Sequence, residues 1–241
     1  MNRDEHITFI KSDLSDILSN VVQSTNLLGT GMEAFAVNNY ILQSLLLQLT
    51  GAQEQKLKCI CWELASNDLE YRYETYYQKR WNLGQCSKLE DKNTVYKALW
   101  DATGKNKFDE SARIFNFLKD KMYSIFNASN IVSFHQQEWE TYINFVANIK
   151  NIESIVLNDR GQLFTNEELR NLYEQLYRMR NQCAHNLQSF QFNLPSLRKL
   201  SDNSYTKYNN IFTFFLVLLL IDEAFKFLFS EYEKLRFNSL L

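Results

Sequence analysis

The feature that most limits the possible folds is a scarcity of turn-forming residues: the 241 residues include one proline and six glycines. A β-rich domain of this length would need many tight turns, and tight turns depend on glycine and proline. Apolar residues instead recur at intervals of three and four along much of the chain, which is typical of amphipathic helices. The sequence therefore predicts an all-α fold, an up-and-down bundle of long helices.

The chain is long enough and apolar enough to bury one sizeable core. Hydrophobic residues make up 45% of it and aromatic residues 15%, and large aromatic side chains fill the space between helices. No fixed-period repeat, low-complexity tract or flexible linker divides the chain. We expect a single helical domain over 1–241, with an N-terminal helix within 1–30 and a possible helical insertion over 85–135.

Glycines and capping patterns indicate where individual helices begin and end. The pattern Thr165-Asn166-Glu167-Glu168 resembles a capping box, in which the threonine hydroxyl accepts from a free backbone amide at a helix start. The last helix is apolar almost all round between Phe212 and Ile221, and this favours a homodimer. The expected helices span about 4–28, 33–50, 52–83, 94–102, 109–127, 136–157, 166–184 and 205–237.

Composition argues against several classes of function. The net charge is -2, so broad nonspecific binding to nucleic acid is disfavoured. The apolar run from Ile211 to Ile221 is too short to span a bilayer, and the first residues do not resemble a secretory signal. We expect a cytoplasmic protein without membrane partners or cofactors. No convincing metal-ligand pattern is present, and we expect free thiols at the four cysteines, Cys59, Cys61, Cys86 and Cys183.

The helix predicted over 166–184 carries an arginine on its apolar side. With Leu169 as the reference on a helical wheel, the apolar residues of this helix fall on one stripe, and Arg180 falls in its middle. Arg178 falls on the opposite, polar face, where a solvated side chain is expected. Arg180 must therefore either extend from the stripe towards water or occupy a partly buried site with an anionic partner.

A histidine follows the arginine by five residues. We expect the helix to end near Ala184, so that His185 can turn back towards Arg180. A guanidinium binds two phosphate oxygens in a fork, and an imidazole can exchange a proton near neutral pH. Together these two groups suit phosphodiester chemistry.

The segment Arg180-Asn181-Gln182-Cys183-Ala184-His185 resembles the Arg-x4-6-His signature of the HEPN superfamily, in which an asparagine often follows the arginine. Members are helical bundles with this signature near the end of one long helix, and another long helix follows. Many are metal-independent endoribonucleases that act as toxins, anti-phage effectors or CRISPR-associated nucleases. They typically dimerise, so that two signatures share one composite site.

The resemblance implies a role for each residue of the signature. Arg180 would stabilise the scissile phosphate, His185 would transfer a proton, and Asn181 would orient one of these groups or the RNA. Attack by the ribose 2′-hydroxyl would leave a cyclic phosphate without a metal ion. An antitoxin or another regulatory protein is a possible partner.

Two other readings stay open. The first is a non-catalytic HEPN module that binds RNA, a nucleotide or a partner protein. The second is a helical scaffold in which the signature is a coincidence, with Arg180 paired internally and His185 exposed away from any cleft. The two differ from the nuclease in whether RNA is cleaved and whether cleavage depends on His185.

An acid on an apolar stripe indicates possible support for the site. In the helix predicted over 52–83, Asp68 shares a face with the apolar residues around Leu57 and needs a partner. Arg72, four residues on, is the local candidate, and Arg180 is the more distant one. Glu63 lies off this stripe and is expected to be solvated.

Overall fold

The computed structural model describes residues 3–29, 31–81, 86–104, 110–127, 129–149, 161–186 and 210–238. Helix accounts for 86% of these residues, and none of them belongs to a strand. The predicted all-α class is therefore confirmed. The elements are α1 (Arg3–Lys11), α2 (Leu14–Thr25), α3 (Met32–Asn67), α4 (Leu69–Arg72), a π-helical turn (Tyr73–Gln78), α5 (Leu89–Thr103), α6 (Ser111–Asn127), α7 (Asn130–Phe134), α8 (Gln136–Asn148), α9 (Glu167–Asn186) and α10 (Ile211–Asn238).

Helix α10 is the centre of the fold. Every residue from Phe212 to Asp222 is buried, because α2, α3, α5, α6, α8 and α9 all pack against this helix. The side-chain oxygen of Asn210 accepts hydrogen bonds from the backbone amides of Phe212 (3.0 Å) and Thr213 (3.2 Å) and so caps its start. The apolar surface that predicted a homodimer is thus covered within one protomer.

The first helix of the prediction is divided in the structure. The expected helix over 4–28 is replaced by α1 and α2, which meet at Ser12 and Asp13. Buried side chains form hydrogen bonds with the backbone at this junction: the Lys56 ammonium donates to the Ser12 carbonyl, and the Asp222 carboxylate accepts from the Leu14 amide. A continuous helix would use those groups internally, so the chain bends here.

The two helices expected around Gly51 are one. Helix α3 runs through Gly51 and ends at Asn67 instead of continuing to residue 83. Glycine inside a helix costs only about 1 kcal/mol relative to alanine. Burial of the neighbours Leu49, Thr50 and Gln53 outweighs that cost.

Helices α5 and α6 come from the stretch in which an insertion was considered. Both pack directly against α10, and Val95, Leu99, Phe115 and Leu118 on their inner faces are buried. Gly104 adopts a left-handed conformation (φ 60°) that ends α5 where the sequence predicted. These two helices are part of the main core.

Some predicted features lie partly outside the described residues. The helix expected over 136–157 is seen as α8, which follows the short α7, and residues 150–160 fall outside the description. Most of the polar loop expected over 186–204 is likewise outside it. Within the described part of the chain, no helix combines the length and apolar character needed to cross a membrane.

A buried ion pair joins α3 to α10. The Lys56 ammonium lies 2.8 Å and 3.1 Å from the two carboxylate oxygens of Asp222, and both side chains are only 3% exposed. Burial raises the pKa of Asp222 to about 6 and lowers the pKa of Lys56, while their mutual attraction acts in the opposite direction. The pair therefore carries a desolvation cost that its hydrogen bonds must offset.

We expect Lys56→Met to lower the free energy of unfolding by about 3–5 kcal/mol, because it leaves the Asp222 carboxyl buried without its cation. The double variant Lys56→Met/Asp222→Leu should lose less than the sum of the two single changes, since no charge is then left buried. Urea unfolding of the four proteins measures both quantities. Additive losses would contradict a coupled pair.

Candidate functional site

Helix α9 places the arginine of the signature. Its start is capped by Asn166, whose side-chain oxygen accepts from the Glu168 amide at 2.7 Å, where the sequence pattern had assigned the cap to Thr165. Helix α9 packs on α3, α5 and α10 through the predicted stripe. Most of that stripe is buried, although Ala184 is exposed; its fully buried members are Leu169, Leu172, Tyr173, Leu176 and Cys183.

Arg180 is partly buried and paired. One terminal guanidinium nitrogen lies 3.3 Å from a carboxylate oxygen of Glu54 on α3, and the other donates to the side-chain oxygen of Asn181 at 3.1 Å. The Arg180 side chain is 29% exposed, whereas Arg178 is on the solvent side as predicted. The guanidinium is therefore held from two directions, and Asn181 is one of the two groups that orient it.

His185 is exposed and does not meet Arg180 within one protomer. Helix α9 continues to Asn186, so the expected turn of the chain at Ala184 does not occur. On a regular helix, five residues correspond to a rotation of about 140° and an advance of about 7.5 Å. Arg180 consequently faces α3, whereas His185 faces solvent.

A small cleft lies where α3, α5 and α9 meet. It is partly open to solvent, and its volume of about 10 Å³ is room for about one water molecule. Arg180 and Glu54 form part of its wall, and Tyr173 and Tyr177 contribute aromatic rings. The lining residues are Thr50, Glu54, Ser87, Lys92, Tyr173, Leu176, Tyr177 and Arg180.

Lys92 brings a second cation to this cleft. It is 1% exposed, and its ammonium lies 5.7 Å from the centre of the Tyr173 ring. The Tyr173 hydroxyl donates to the Ser87 carbonyl at 2.6 Å, which fixes the ring. Burial lowers the pKa of Lys92 to about 8, and the negative charge of Glu54 partly opposes this effect.

The charges of the cleft do not cancel. Its lining includes two cations, Lys92 and Arg180, and one carboxylate, Glu54. Glu54 interacts with both cations, directly with Arg180 and through space with Lys92. The lining itself therefore has one more cation than carboxylate, although the Asp91 carboxylate also acts on Lys92 from outside the lining.

The predicted support residue lies elsewhere. Because α3 ends at Asn67, Asp68 leaves the apolar stripe; its carboxylate is exposed and accepts from the Tyr71 amide at 2.9 Å, which caps α4. Its expected role beside Arg180 is taken by Glu54. The expectation that Glu63 is solvated is wrong, since Glu63 is buried and lies 3.5 Å from a ring nitrogen of His6.

The sequence contained signals for Glu54 and Lys92 that pattern analysis missed. On a helical wheel Glu54 falls about 60° from Leu57, at the edge of the apolar face of α3. Lys92 shares a face with Val95, Tyr96 and Leu99, but α5 was expected to begin near residue 94 and so excluded it. A correct start for α5 would have revealed Lys92 as a charge on an apolar face, whereas Glu54 lay within the predicted helix and was missed at the edge of its apolar face.

Comparison of the chain with protein-family models, with curated proteins and with solved structures gave no match. No relative therefore assigns a role to the residues of the cleft. Among the described residues, no cluster of three or more His, Cys, Asp and Glu side chains is arranged to hold a metal ion.

We expect Glu54→Gln to lower the pKa of Lys92 further below about 8, because the largest influence that opposes its desolvation is the Glu54 charge. A titration of the lysine ε-carbon resonance by NMR measures this pKa. Glu174→Gln, on the exposed face of α9, removes the same charge and should leave the value unchanged. An unchanged pKa in Glu54→Gln would show that Glu54 does not act on Lys92.

Proposed function

We propose that this protein is a metal-independent endoribonuclease whose site is built around Arg180. The observation that carries the proposal is the position of Arg180, held by Glu54 and Asn181 in the wall of a cleft that Lys92 also lines. A fixed guanidinium in such a cleft suits a phosphodiester. The resemblance of residues 180–185 to the HEPN signature supports the same chemistry and a setting such as a toxin or an anti-phage effector.

The proposed reaction needs one fixed cation and two proton transfers. The ribose 2′-oxygen attacks phosphorus, the bond to the 5′-oxygen breaks, and a 2′,3′-cyclic phosphate and a 5′-hydroxyl remain. One group removes the 2′-hydroxyl proton and another protonates the leaving 5′-oxygen, and the His185 imidazole can perform either step. Arg180 stabilises the additional negative charge on the phosphate oxygens.

The geometry of α9 supports a site shared between two copies of the chain. Arg180 and His185 point in different directions on one continuous helix, and this disfavours contact of both with the same phosphate in one protomer. In a symmetric dimer, the exposed His185 of one copy can approach the cleft of the other. Dimerisation is thus proposed from the site and no longer from the apolar surface of α10.

A non-catalytic HEPN module that binds RNA, a nucleotide or a protein is the second candidate. Two observations favour a protein that does not cleave RNA: Arg180 is paired with Glu54, and His185 is exposed. The same two features were expected for a helical scaffold in which the signature is a coincidence. A scaffold, however, does not require two cations in the wall of one cleft, since burial of charged groups carries a desolvation cost. Binding without cleavage would distinguish the module from the nuclease.

We expect His185→Ala to reduce RNA cleavage by about 10²–10⁴-fold, because it removes the proton-transfer group. RNA affinity should change little, since the variant keeps Arg180, the group proposed to bind the phosphate. Arg180→Ala should weaken both affinity and cleavage, and Arg180→Lys should restore them only in part because an ammonium lacks the fork. Labelled RNA in EDTA, with analysis of product ends for cyclic phosphate, provides the measurement.

Arg178→Ala is the matched control for these variants. Arg178 lies on the exposed face of α9, so its removal changes the charge of the same helix without altering the cleft. It should cleave like the wild type. Equal cleavage by His185→Ala and the wild type, or a larger loss in Arg178→Ala than in Arg180→Ala, would contradict the assigned roles.

A mixture of two inactive variants tests the shared site. Arg180→Ala and His185→Ala, refolded together at equal amounts, form mixed dimers in which one site has both an intact Arg180 and an intact His185. Half of the dimers are mixed and half of their sites are intact, so activity should return to about a quarter of the wild-type value. Persistent inactivity of folded, dimeric mixtures would argue against a site shared in this way.

A further inference from the structure

Lys92 has an environment that stability alone does not explain. The side chain is 1% exposed, no described residue accepts a hydrogen bond from its ammonium, and the ammonium keeps contact with solvent at the cleft. Its neighbours are the face of the Tyr173 ring and, through space, the Glu54 carboxylate. A buried cation in this state lowers stability, because desolvation is not repaid by hydrogen bonds.

The other buried lysine, Lys56, shows which hydrogen-bond acceptors surround a structural cation in this fold. Lys56 donates to both carboxylate oxygens of Asp222 and to the Ser12 carbonyl. Its donors are thus satisfied by the protein itself. Lys92 differs in that it lines an open cleft opposite Arg180, where an acceptor can arrive from outside.

We propose that the cleft between α3, α5 and α9 binds a phosphate group, with the Lys92 ammonium as its inner cation and the Arg180 guanidinium as its outer cation. Glu54 neutralises Arg180 in the empty cleft and gives way to the ligand. This inference rests on the proposed function in that it places phosphate beside Arg180, and it adds Lys92 as a second contact.

The chemistry of the lining selects a small, strongly charged anion. Two cations can each donate to a separate phosphate oxygen. The cleft as it stands has room for about one water molecule, so one phosphate oxygen can take that place, and the rest of the phosphate fits only when the Glu54 side chain moves aside. A nucleoside would remain outside. Either a backbone phosphodiester or a terminal phosphate monoester supplies this group.

The first experiment measures binding of inorganic phosphate by calorimetry. Lys92→Met should raise the dissociation constant by about 10- to 100-fold, the usual loss for one hydrogen bond to a charged group. The same variant should melt about 2–4 °C higher, because an uncompensated buried charge is removed. Lys97→Met, the same change at an exposed position of α5, should alter neither value.

The second experiment needs no substitution at Lys92. Sulfate has a constant double negative charge across neutral pH, and its binding should raise the pKa of Lys92 above about 8 in the wild type, as read from the lysine ε-carbon resonance. Sulfate affinity should fall as pH rises from 7 to 10, because the ammonium is then deprotonated. An unmoved Lys92 resonance at saturating sulfate would overturn the proposal even if Lys92→Met failed to fold.

Other ionisable groups face Lys92 and must be separated from it. They are Glu54 from α3, Cys86 and Asp91 beside the start of α5, and Arg180 from α9. A thiol ordinarily has a pKa of about 8.5, which lies within the range from pH 7 to pH 10. A hydrogen bond with Cys61 lowers the pKa of Cys86 from its ordinary value. Cys86→Ser should therefore retain the pH dependence of sulfate binding, and its loss in that variant would overturn the assignment to Lys92.

Oligonucleotides identify the source of the phosphate. Tighter binding of a 5′-phosphorylated RNA than of the same RNA with a 5′-hydroxyl assigns a terminal monoester, and equal binding that depends on Lys92 assigns a backbone diester. Equal affinity of the wild type and Lys92→Met, or a lower melting temperature in Lys92→Met, would overturn the proposal.

Different experimental results would contradict this inference and the nuclease proposal. Sulfate binding that depends on Lys92, without any RNA cleavage, supports the phosphate cleft and contradicts the nuclease. Cleavage that depends on His185, with unchanged phosphate affinity in Lys92→Met, supports the nuclease and contradicts the role of Lys92.

Discussion

The ion pair between Lys56 and Asp222 is the constraint on which much of the architecture depends. It joins the long helix α3 to the central helix α10, and the same two side chains bind the backbone at the junction of α1 and α2. One polar cluster thus positions four helices. Hydrophobic burial is non-directional, whereas these hydrogen bonds require particular atoms to meet. The pair therefore specifies how the helices align, and apolar packing supplies most of the stabilising free energy.

The two buried lysines illustrate how a cation can serve either structure or binding. Lys56 is surrounded by protein oxygens that satisfy its donors, and its charge is locked to Asp222. Lys92 has an aromatic face and a carboxylate at a distance, and it borders an open cleft. A cation that the protein itself leaves without an acceptor contributes little to stability, and such groups tend to occur where solvent or a ligand completes them. This contrast is the physical basis for regarding the cleft as a binding site.

Much of the fold and part of the site could be predicted from local patterns. Periodicity identified the apolar stripe of α9, and the same stripe correctly separated a partly buried Arg180 from an exposed Arg178. The partner of Arg180 could not be found in this way, because Glu54 lies far away in the chain and meets it only through the packing of α3 on α9. The sequence also predicted a helix boundary at Gly51, where burial of the neighbouring residues instead keeps α3 continuous.

The sequence by itself determined that the chain forms long helices around one core, because glycine and proline are scarce and apolar residues recur with the helical period. Those properties are local, and neighbouring residues suffice to express them. Only the tertiary structure decided that Glu54 and Lys92 share a cleft with Arg180, that His185 points away from it, and that α10 is covered within one protomer. These outcomes depend on which helix faces meet, and that choice minimises exposed apolar surface and unpaired charge over the whole chain at once.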